Sequence, residues 1–429
     1  MTIAAVVGLG KIGLPLAVQI AGAGVTTQGV DINPEVVDLV AGGRPPFPGE
    51  EDLEDRLAAA LGSGRLTATL DVAAAVAASD VVVVVVPLVV DDAARPAFDA
   101  LDAATAALAP SLRPGALVVY ETTLPVGTTR SRLLPALAQR SGLRPGDELL
   151  VAHSPERVSS GTVFADLRRY PKLVGGVDAA SAARAVAFYR EVLEFDDRPE
   201  LPRPNGVWDL GSAEAAELTK LAETTYRDLN IGFANELASY AERLGIDIAE
   251  VAAAANSQPY SHLHSPGLVG GHCIPVYPWF LLAGAPELRL ARTAREVNDA
   301  LPERVVDRLA AAAGDLAGQR VAVLGLAYRG GVKELAYSGA LAVVRVLEAR
   351  GARPVVHDPL WSAGELRSLG LEPHELGTRC HAAVVQADHA EYRTLSPADL
   401  PGAVAVFDVR RCTPADGWGA VRRLVLGAP

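Results

Sequence analysis

At 429 residues, with 50% hydrophobic and 21% charged side chains, the chain is long enough for about two to four domains and is neither a disordered polymer nor a disulfide-stapled miniprotein. Its formal net charge of −12 contains no basic stripe, which argues against nucleic acid as a partner. The three cysteines, Cys273, Cys380 and Cys412, are far apart and lack CxxC spacing, so a reducing, cytoplasmic setting and no metal site are expected.

The chain opens on an apolar stretch, MTIAAVVGLGKIGLPLAVQIAGAGV, that has no basic leader and carries glycines at patterned positions, unlike a signal peptide. Residues 3–7 read as a strand, Gly8-Leu9-Gly10-Lys11-Ile12-Gly13 as a tight turn, and the residues through Leu16 and Ile20 as a helix. A second strand over 25–30 ends at Asp31. Later apolar runs at 81–86, 116–120 and 149–152 alternate with Ala-rich helical stretches, the pattern of a doubly wound parallel sheet. The run at 81–90 contains a proline and is too short to cross about 30 Å of hydrocarbon, so no membrane association is expected.

Residues 212–244 lack proline and contain only Gly232 as a breaker, which predicts one long helix. Small and apolar residues lie on several of its faces (Ala215, Ala216, Leu218, Leu221, Ala222, Ile231, Phe233, Ala234, Leu237), so more than one face should be covered, by flanking domains or a second subunit. After Gly318 a strand over 320–324, Gly325-Leu326-Ala327, a helix over 337–350 and a strand over 354–357 ending at Asp358 echo the opening unit. Strands over 382–385 and 404–408 then complete a smaller α/β domain.

Three places carry chemistry. Gly8, Gly10 and Gly13 form GxGxxG between a strand and a helix, with Asp31 closing the next strand. Such glycines admit a pyrophosphate to a helix N-terminus, and the carboxylate bonds a ribose 2′-hydroxyl and disfavours the extra phosphate of NADP, so NAD is the expected cofactor. Cys273 follows the glycine-rich segment Pro266-Gly267-Leu268-Val269-Gly270-Gly271-His272. It is either a small buried hydrophobe or a nucleophile that the loop leaves open to a carbonyl. Lys220 and Glu223 lie a turn apart on the long helix, and Glu156 follows a strand in His153-Ser154-Pro155-Glu156-Arg157. A solvated ion-pair face and a loop pair between Glu156 and Arg157 are the plain alternatives.

Taken together and in order, GLGKIGLPLA, TTLPVGTT, HSPERV, KLAETTYRDLNIGFANELA, LVGGHCIP, AREVND and LGLAYRGGVKE resemble the nucleotide-sugar dehydrogenases of the UDP-glucose, UDP-N-acetylhexosamine and GDP-mannose type. The resemblance implies an α/β protein with two Rossmann-like doubly wound parallel-sheet domains joined by a long central helix. The expected division is 1–209 for NAD, 210–300 for the helix, dimer region and cysteine loop, and 301–429 for the nucleotide sugar. It implies oxidation of a primary sugar alcohol to a uronate, an intermediate of polysaccharide biosynthesis, with two NAD and one water consumed.

On that pattern Cys273 forms a thiohemiacetal and then a thioester, Glu156 assists the hydrolytic water, Lys220 and Thr224 stabilise the oxyanion, and Thr123 positions a water or hydroxyl. Gly8, Gly10, Lys11, Ile12, Gly13, Asp31 and Thr123 would hold the cofactor. Glu156, Arg157, Lys220, Gly270, Gly271, Tyr328 and Arg329 would hold the substrate. The chain departs from the pattern at Thr224 (usually Asn), Tyr277 (usually Asp), Leu88 (usually Thr) and Ala336 (often Arg). Ser160, where the UDP-glucose enzymes carry a glutamate, favours a UDP-N-acetylhexosamine. UDP-glucose oxidation, a catalytically weak binding protein and a two-electron hydroxyacid dehydrogenase are the competing readings, the last having no use for HSPER or GGHC. A homodimer through the central helix is also implied.

Overall fold

A computed structural model describes residues 2–429. The chain forms two compact units, one of residues up to Glu223 with Trp279–Ala285, the other of Thr224–Pro278 with Pro286–Pro429. The long helix, Ala213–Leu244, runs through the boundary between the two units, and Ala238, Ala241 and Ile248 form a small apolar cluster of their own with Leu237.

The first unit is built on an eight-stranded sheet. From one edge the order is Val207–Asp209, Lys172–Gly176, Leu149–His153, Ala116–Tyr120, Val81–Val84, Ile3–Val7, Thr26–Val30 and Leu66–Thr69. Central strands such as Val81–Val84 are apolar at every position because helices cover both faces of a parallel sheet. The order reverses between Ile3–Val7 and Val81–Val84, whose registers pair Ala4 with Val81 and Val7 with Val84. A crevice therefore opens at their carboxyl ends.

The sheet is not wholly parallel. Lys172–Gly176 runs antiparallel to Leu149–His153, with Ala152 opposite Gly176 and His153 opposite Gly175. This strand, Val207–Asp209 and Leu66–Thr69 escaped the sequence reading because each is short or polar at its start. The reversal has a consequence for the site: it brings the first residue of the strand, Lys172, to the edge where its neighbours end.

The second unit carries a five-stranded, all-parallel sheet in the order Arg353–His357, Arg320–Leu324, Ala382–Val385, Ala405–Asp408 and Arg422–Val425. Its core includes Val305, Leu309, Val321, Val323, Val343, Leu347, Val384 and Phe407. The helix expected from Tyr337 begins instead at Gly339, since Tyr337 lies at φ 47°, outside the helical region. Gly232 is the packing notch of the long helix, because a Cβ there would stand 3.3 Å from Ala294. Among the described residues no helix is long and apolar enough to cross a membrane, and no group of three or more His, Cys, Asp or Glu is placed to hold a metal ion.

Candidate active site

In the first unit the fingerprint forms as its spacing requires. Gly8 has φ 98°, and a Cβ on it would stand 2.8 Å from the Val85 carbonyl oxygen. A Cβ on Gly13 would fall 1.8 Å from the carbonyl oxygen of Gly8, so that position must be bare for the helix Gly13–Gly22 to meet the strand. Gly10 has nothing within 4 Å of its Cβ direction, and Ile12 places no side-chain cap on the helix. The turn is thus closed toward the protein and open toward a ligand, as a pyrophosphate requires. Asp31 accepts the Leu9 N–H at 2.8 Å and the Asn33 N–H at 2.9 Å while remaining partly exposed, so it keeps lone pairs for a ribose. These residues, with Lys11 at the turn, fit NAD.

Thr122 and Thr123, both buried, follow the strand Ala116–Tyr120. Thr122 donates to the Val86 carbonyl at 2.6 Å. The stretch beyond them is tied to the long helix by Glu217, which is buried and accepts from the N–H groups of Gly127 at 2.5 Å and Thr129 at 2.8 Å, and from the Thr129 hydroxyl at 2.6 Å. Lys220, one turn further along the same helix, is also buried. Leu88 is buried and brings no polar side chain where the pattern has a threonine.

Neither plain alternative for Glu156 and Lys220 holds. The guanidinium of Arg157 pairs with Glu223, not Glu156. Glu156 instead accepts the Arg157 backbone N–H at 2.6 Å and the ammonium of Lys172 at 2.8 Å. Lys172 donates equally, at 2.8 Å, to Glu121, whose other oxygen receives the Tyr189 hydroxyl. Burial opposes the charge on Glu156, but Lys172 and the Arg157 N–H outweigh it and hold the carboxyl below its usual range. Burial dominates at Glu121, against the pull of Lys172, and pushes it up to about 7. His153 is buried with neither ring nitrogen bonded, and desolvation lowers it to about 3.

In the second unit the cysteine loop hangs on backbone and glycine contacts. Asn235 clasps Gly267 in both directions, donating to its carbonyl at 3.2 Å and accepting its N–H at 2.8 Å. Asn235 is held in turn by Asn298, and Asn298 by Asp228, which also takes Arg295 at 2.6 Å. Gly271 donates to the Ala336 carbonyl at 3.0 Å. A Cβ on Gly270 would lie 2.7 Å from that of Tyr328, while Gly271, at φ 84°, rests on the Tyr328 ring. Cys273 emerges partly exposed from this clasp, so it is not the buried hydrophobe of the alternative reading. The Cys273 carbonyl accepts the Tyr277 N–H at 3.0 Å, which starts the next helix at the residue where a carboxylate was expected. Thr224 is buried, and exposed Arg329 lies beside the Tyr328 ring.

The motifs thus contain Glu156 and Lys220 in the first unit and Cys273 in the second, but not the residues that hold their surroundings in place within each unit. Glu121, Lys172, Tyr189, Glu217 and Asn235 were all missed, although a lysine opening the apolar run Lys-Leu-Val-Gly-Gly is itself a signal, since lysine is almost never fully buried unless paired.

The open glycine turn and the partly exposed Asp31 are the features of an NAD-binding protein. Comparison with known proteins agrees: residues 1–193, 214–300 and 322–415 match the NAD-binding, central and UDP-binding domains of the UDP-glucose/GDP-mannose dehydrogenase family. The chain belongs to that family and is an NAD-dependent nucleotide-sugar dehydrogenase. It is 35% identical to an NDP-N-acetyl-D-galactosaminuronic acid dehydrogenase of Ralstonia nicotianae over 94% of this chain and 95% of the relative. Among solved structures it resembles a UDP-D-ManNAc dehydrogenase from Pyrococcus horikoshii (TM-score 0.86, 30% identity, 99% of each chain). It also resembles a UDP-glucose dehydrogenase from Pyrobaculum islandicum (TM-score 0.85, 28% identity, 98% of each chain).

Proposed function

We propose that the protein oxidises the C6 alcohol of a UDP-N-acetylhexosamine to the uronate, in two successive two-electron steps that pass through a covalent bond to Cys273. The observation that carries this is the partly exposed Cys273 on its clasped glycine loop, a part for which a single two-electron oxidation has no use. Bound in the crevice by Gly10, Ile12 and Asp31, NAD supplies the hydride acceptor.

The remaining chemistry falls to the chain. Lys220 stabilises the oxyanion that develops at C6, Thr224 adds a hydroxyl donor, and Thr123 orients the alcohol or a water. Cys273 retains the aldehyde as a thiohemiacetal and then as a thioester, which keeps it from escaping between the oxidations. Glu156, held ionised, accepts the proton of the hydrolytic water. Arg157, Gly270, Gly271, Tyr328 and Arg329 shape the nucleotide-sugar site.

The choice of an N-acetylhexosamine rests on Ser160 and on the names of the relatives, and a panel of UDP, GDP and TDP sugars followed by NADH absorbance tests it. The highest kcat/KM is expected with a UDP-N-acetylhexosamine. A clear preference for UDP-glucose would overturn that choice while leaving the reaction type intact.

The working form is a cytoplasmic homodimer. Tyr226, Phe233 and Tyr240 recur every seventh residue of the long helix and are 49–54% exposed, an aromatic stripe suited to an isologous contact. Light scattering at micromolar concentration should give twice the chain mass, and a fully active species of 44.6 kDa would refute the dimer.

A further inference from the structure

The antiparallel strand Lys172–Gly176 delivers an ammonium, 4% exposed, between two carboxylates that follow neighbouring strands. Lys172 bridges Glu121 and Glu156 at 2.8 Å each. Glu121 is fully buried and pinned from behind by the Tyr189 hydroxyl, and the ammonium also lies 4.9 Å from the centre of the Tyr189 ring. An isolated buried lysine would lose its proton, and an isolated buried carboxylate would gain one. Here the two carboxylates keep Lys172 charged and Lys172 holds Glu156 ionised, while burial pushes the more deeply buried Glu121 up to about 7. Pro155, Glu156, Arg157, Asp166, Tyr170 and Lys172 line a crevice of about 10 Å³, at the lower bound of what holds one water.

We infer that Lys172, anchored on Glu121, is a positioning residue that fixes the orientation and the negative charge of Glu156 for the hydrolytic half of the reaction. The inference rests on the role proposed above for Glu156. In that half-reaction water adds to the acyl carbon of the Cys273 thioester, the C–S bond breaks and the sulfur leaves as thiolate. One water proton passes to Glu156 and the other stays on the carboxylic acid product. Lys172 touches none of the reacting atoms. It leaves Glu156 an ionised acceptor, with one oxygen on the ammonium and the other on the Arg157 N–H. Besides Lys172 and Glu121, the titratable groups near Glu156 are His153 at the end of the preceding strand, Arg157 beside it, Asp166 and Tyr170 across the crevice, and Tyr189 from the helix behind.

The test compares Lys172→Met, Lys172→Arg, Glu121→Gln and Glu156→Gln in the full-length dehydrogenase with NAD and the preferred nucleotide sugar. Lys172→Met should lower kcat on the order of 100-fold with KM for the sugar changed less than about threefold. It should accumulate an acyl adduct on Cys273, seen by intact mass, as Glu156→Gln does. The acid limb of its kcat–pH profile should move to higher pH, because Glu156 loses the cation that keeps it ionised. Lys172→Arg, which restores the charge, should recover at least a tenfold part of the loss, and Glu121→Gln, which leaves Lys172 in place, should show a milder form of the same pattern.

Lys172→Met that binds NAD normally yet keeps wild-type kcat, or stays free of adduct while Glu156→Gln accumulates it, would overturn the positioning role alone. Absence of adduct in Glu156→Gln itself would overturn the reading of Glu156 and this inference with it. If Lys172→Met does not fold, the adduct and pH profile of Glu121→Gln decide: both shifted supports the role, both unchanged overturns it.

Discussion

The two sheets begin with the same device and put it to opposite uses. In each, a glycine of positive φ follows the first strand (Gly8 at 98°, Gly325 at 92°) and donates to the last residue of the second strand, Val30 or His357. In each, the next residue, Leu9 or Leu326, donates its N–H to an aspartate just past that strand, at 2.8 Å to Asp31 and 2.7 Å to Asp358. There the likeness stops. Asp31 stays partly exposed beside Ile32, which is 96% exposed, whereas Asp358 is 3% exposed and carries the imidazole of His389 at 3.1 Å. The first helix starts at Gly13 with an uncapped end, while the second starts only at Gly339, where Ser338 accepts the Ala340 N–H. One carboxylate stays open to solvent and the other is spent on the fold. A strand–glycine–aspartate echo is therefore not evidence of a second dinucleotide site unless its acid remains open.

The comparison can be broken first at Asp358. Asp358→Asn removes a buried charge that holds three N–H groups and an imidazole, so it should cost about 3 kcal/mol in urea unfolding while leaving the Kd for NAD of the folded protein unchanged. A weakened Kd at normal stability would mean that the second acid binds cofactor after all. Asp31→Asn should do the converse. Loss of a charge-assisted bond of about 2 kcal/mol raises the KM for NAD roughly 30-fold and narrows the preference over NADP, with unfolding changed by less than about 1 kcal/mol. A wild-type enzyme that used both cofactors equally would contradict the role of Asp31.

The histidines sharpen the same contrast. His389 has a carboxylate partner, whereas His153 at the first sheet's edge has none. Desolvation lowers His153 in the folded state to about 3, so its neutral form favours folding above the usual pKa of about 6.5, and that contribution is lost progressively as pH falls from there toward 3. At pH 5 the unfolded chain gains about 2 kcal/mol from protonating this group alone. His153→Leu should narrow the difference between urea midpoints at pH 7.5 and 5 accordingly, and an unchanged difference would place the acid sensitivity elsewhere.

How much of this was legible follows from the physics of each signal. The fingerprint, Asp31 and the long helix were visible because spacing and periodicity are local properties of the chain. So were the ends of the candidate site: Glu156, Lys220 and Cys273 stand in short motifs. The pairing of Glu156 was not visible, because Lys172 reaches it through a strand whose reversed direction nothing in Lys-Leu-Val-Gly-Gly announces. The partner of the Arg157 guanidinium was not visible either: the plain alternative paired it with its chain neighbour Glu156, whereas it pairs with Glu223, a partner set by tertiary packing. Tyr337 reads as helix by composition but sits at φ 47°, beside the loop that carries Cys273.

The central claim of the proposed function is that the enzyme oxidises the alcohol to an aldehyde and then, once Cys273 has captured that aldehyde, oxidises the same carbon a second time. It is tested most directly by counting NADH formed per nucleotide sugar consumed, with limiting sugar and excess NAD, in the wild type and in Cys273→Ser. The account predicts two NADH per sugar for the wild type and no net uronate from the variant, whose hydroxyl is a poor nucleophile toward the aldehyde. One NADH per sugar in the wild type, or wild-type uronate formation by Cys273→Ser, would contradict it.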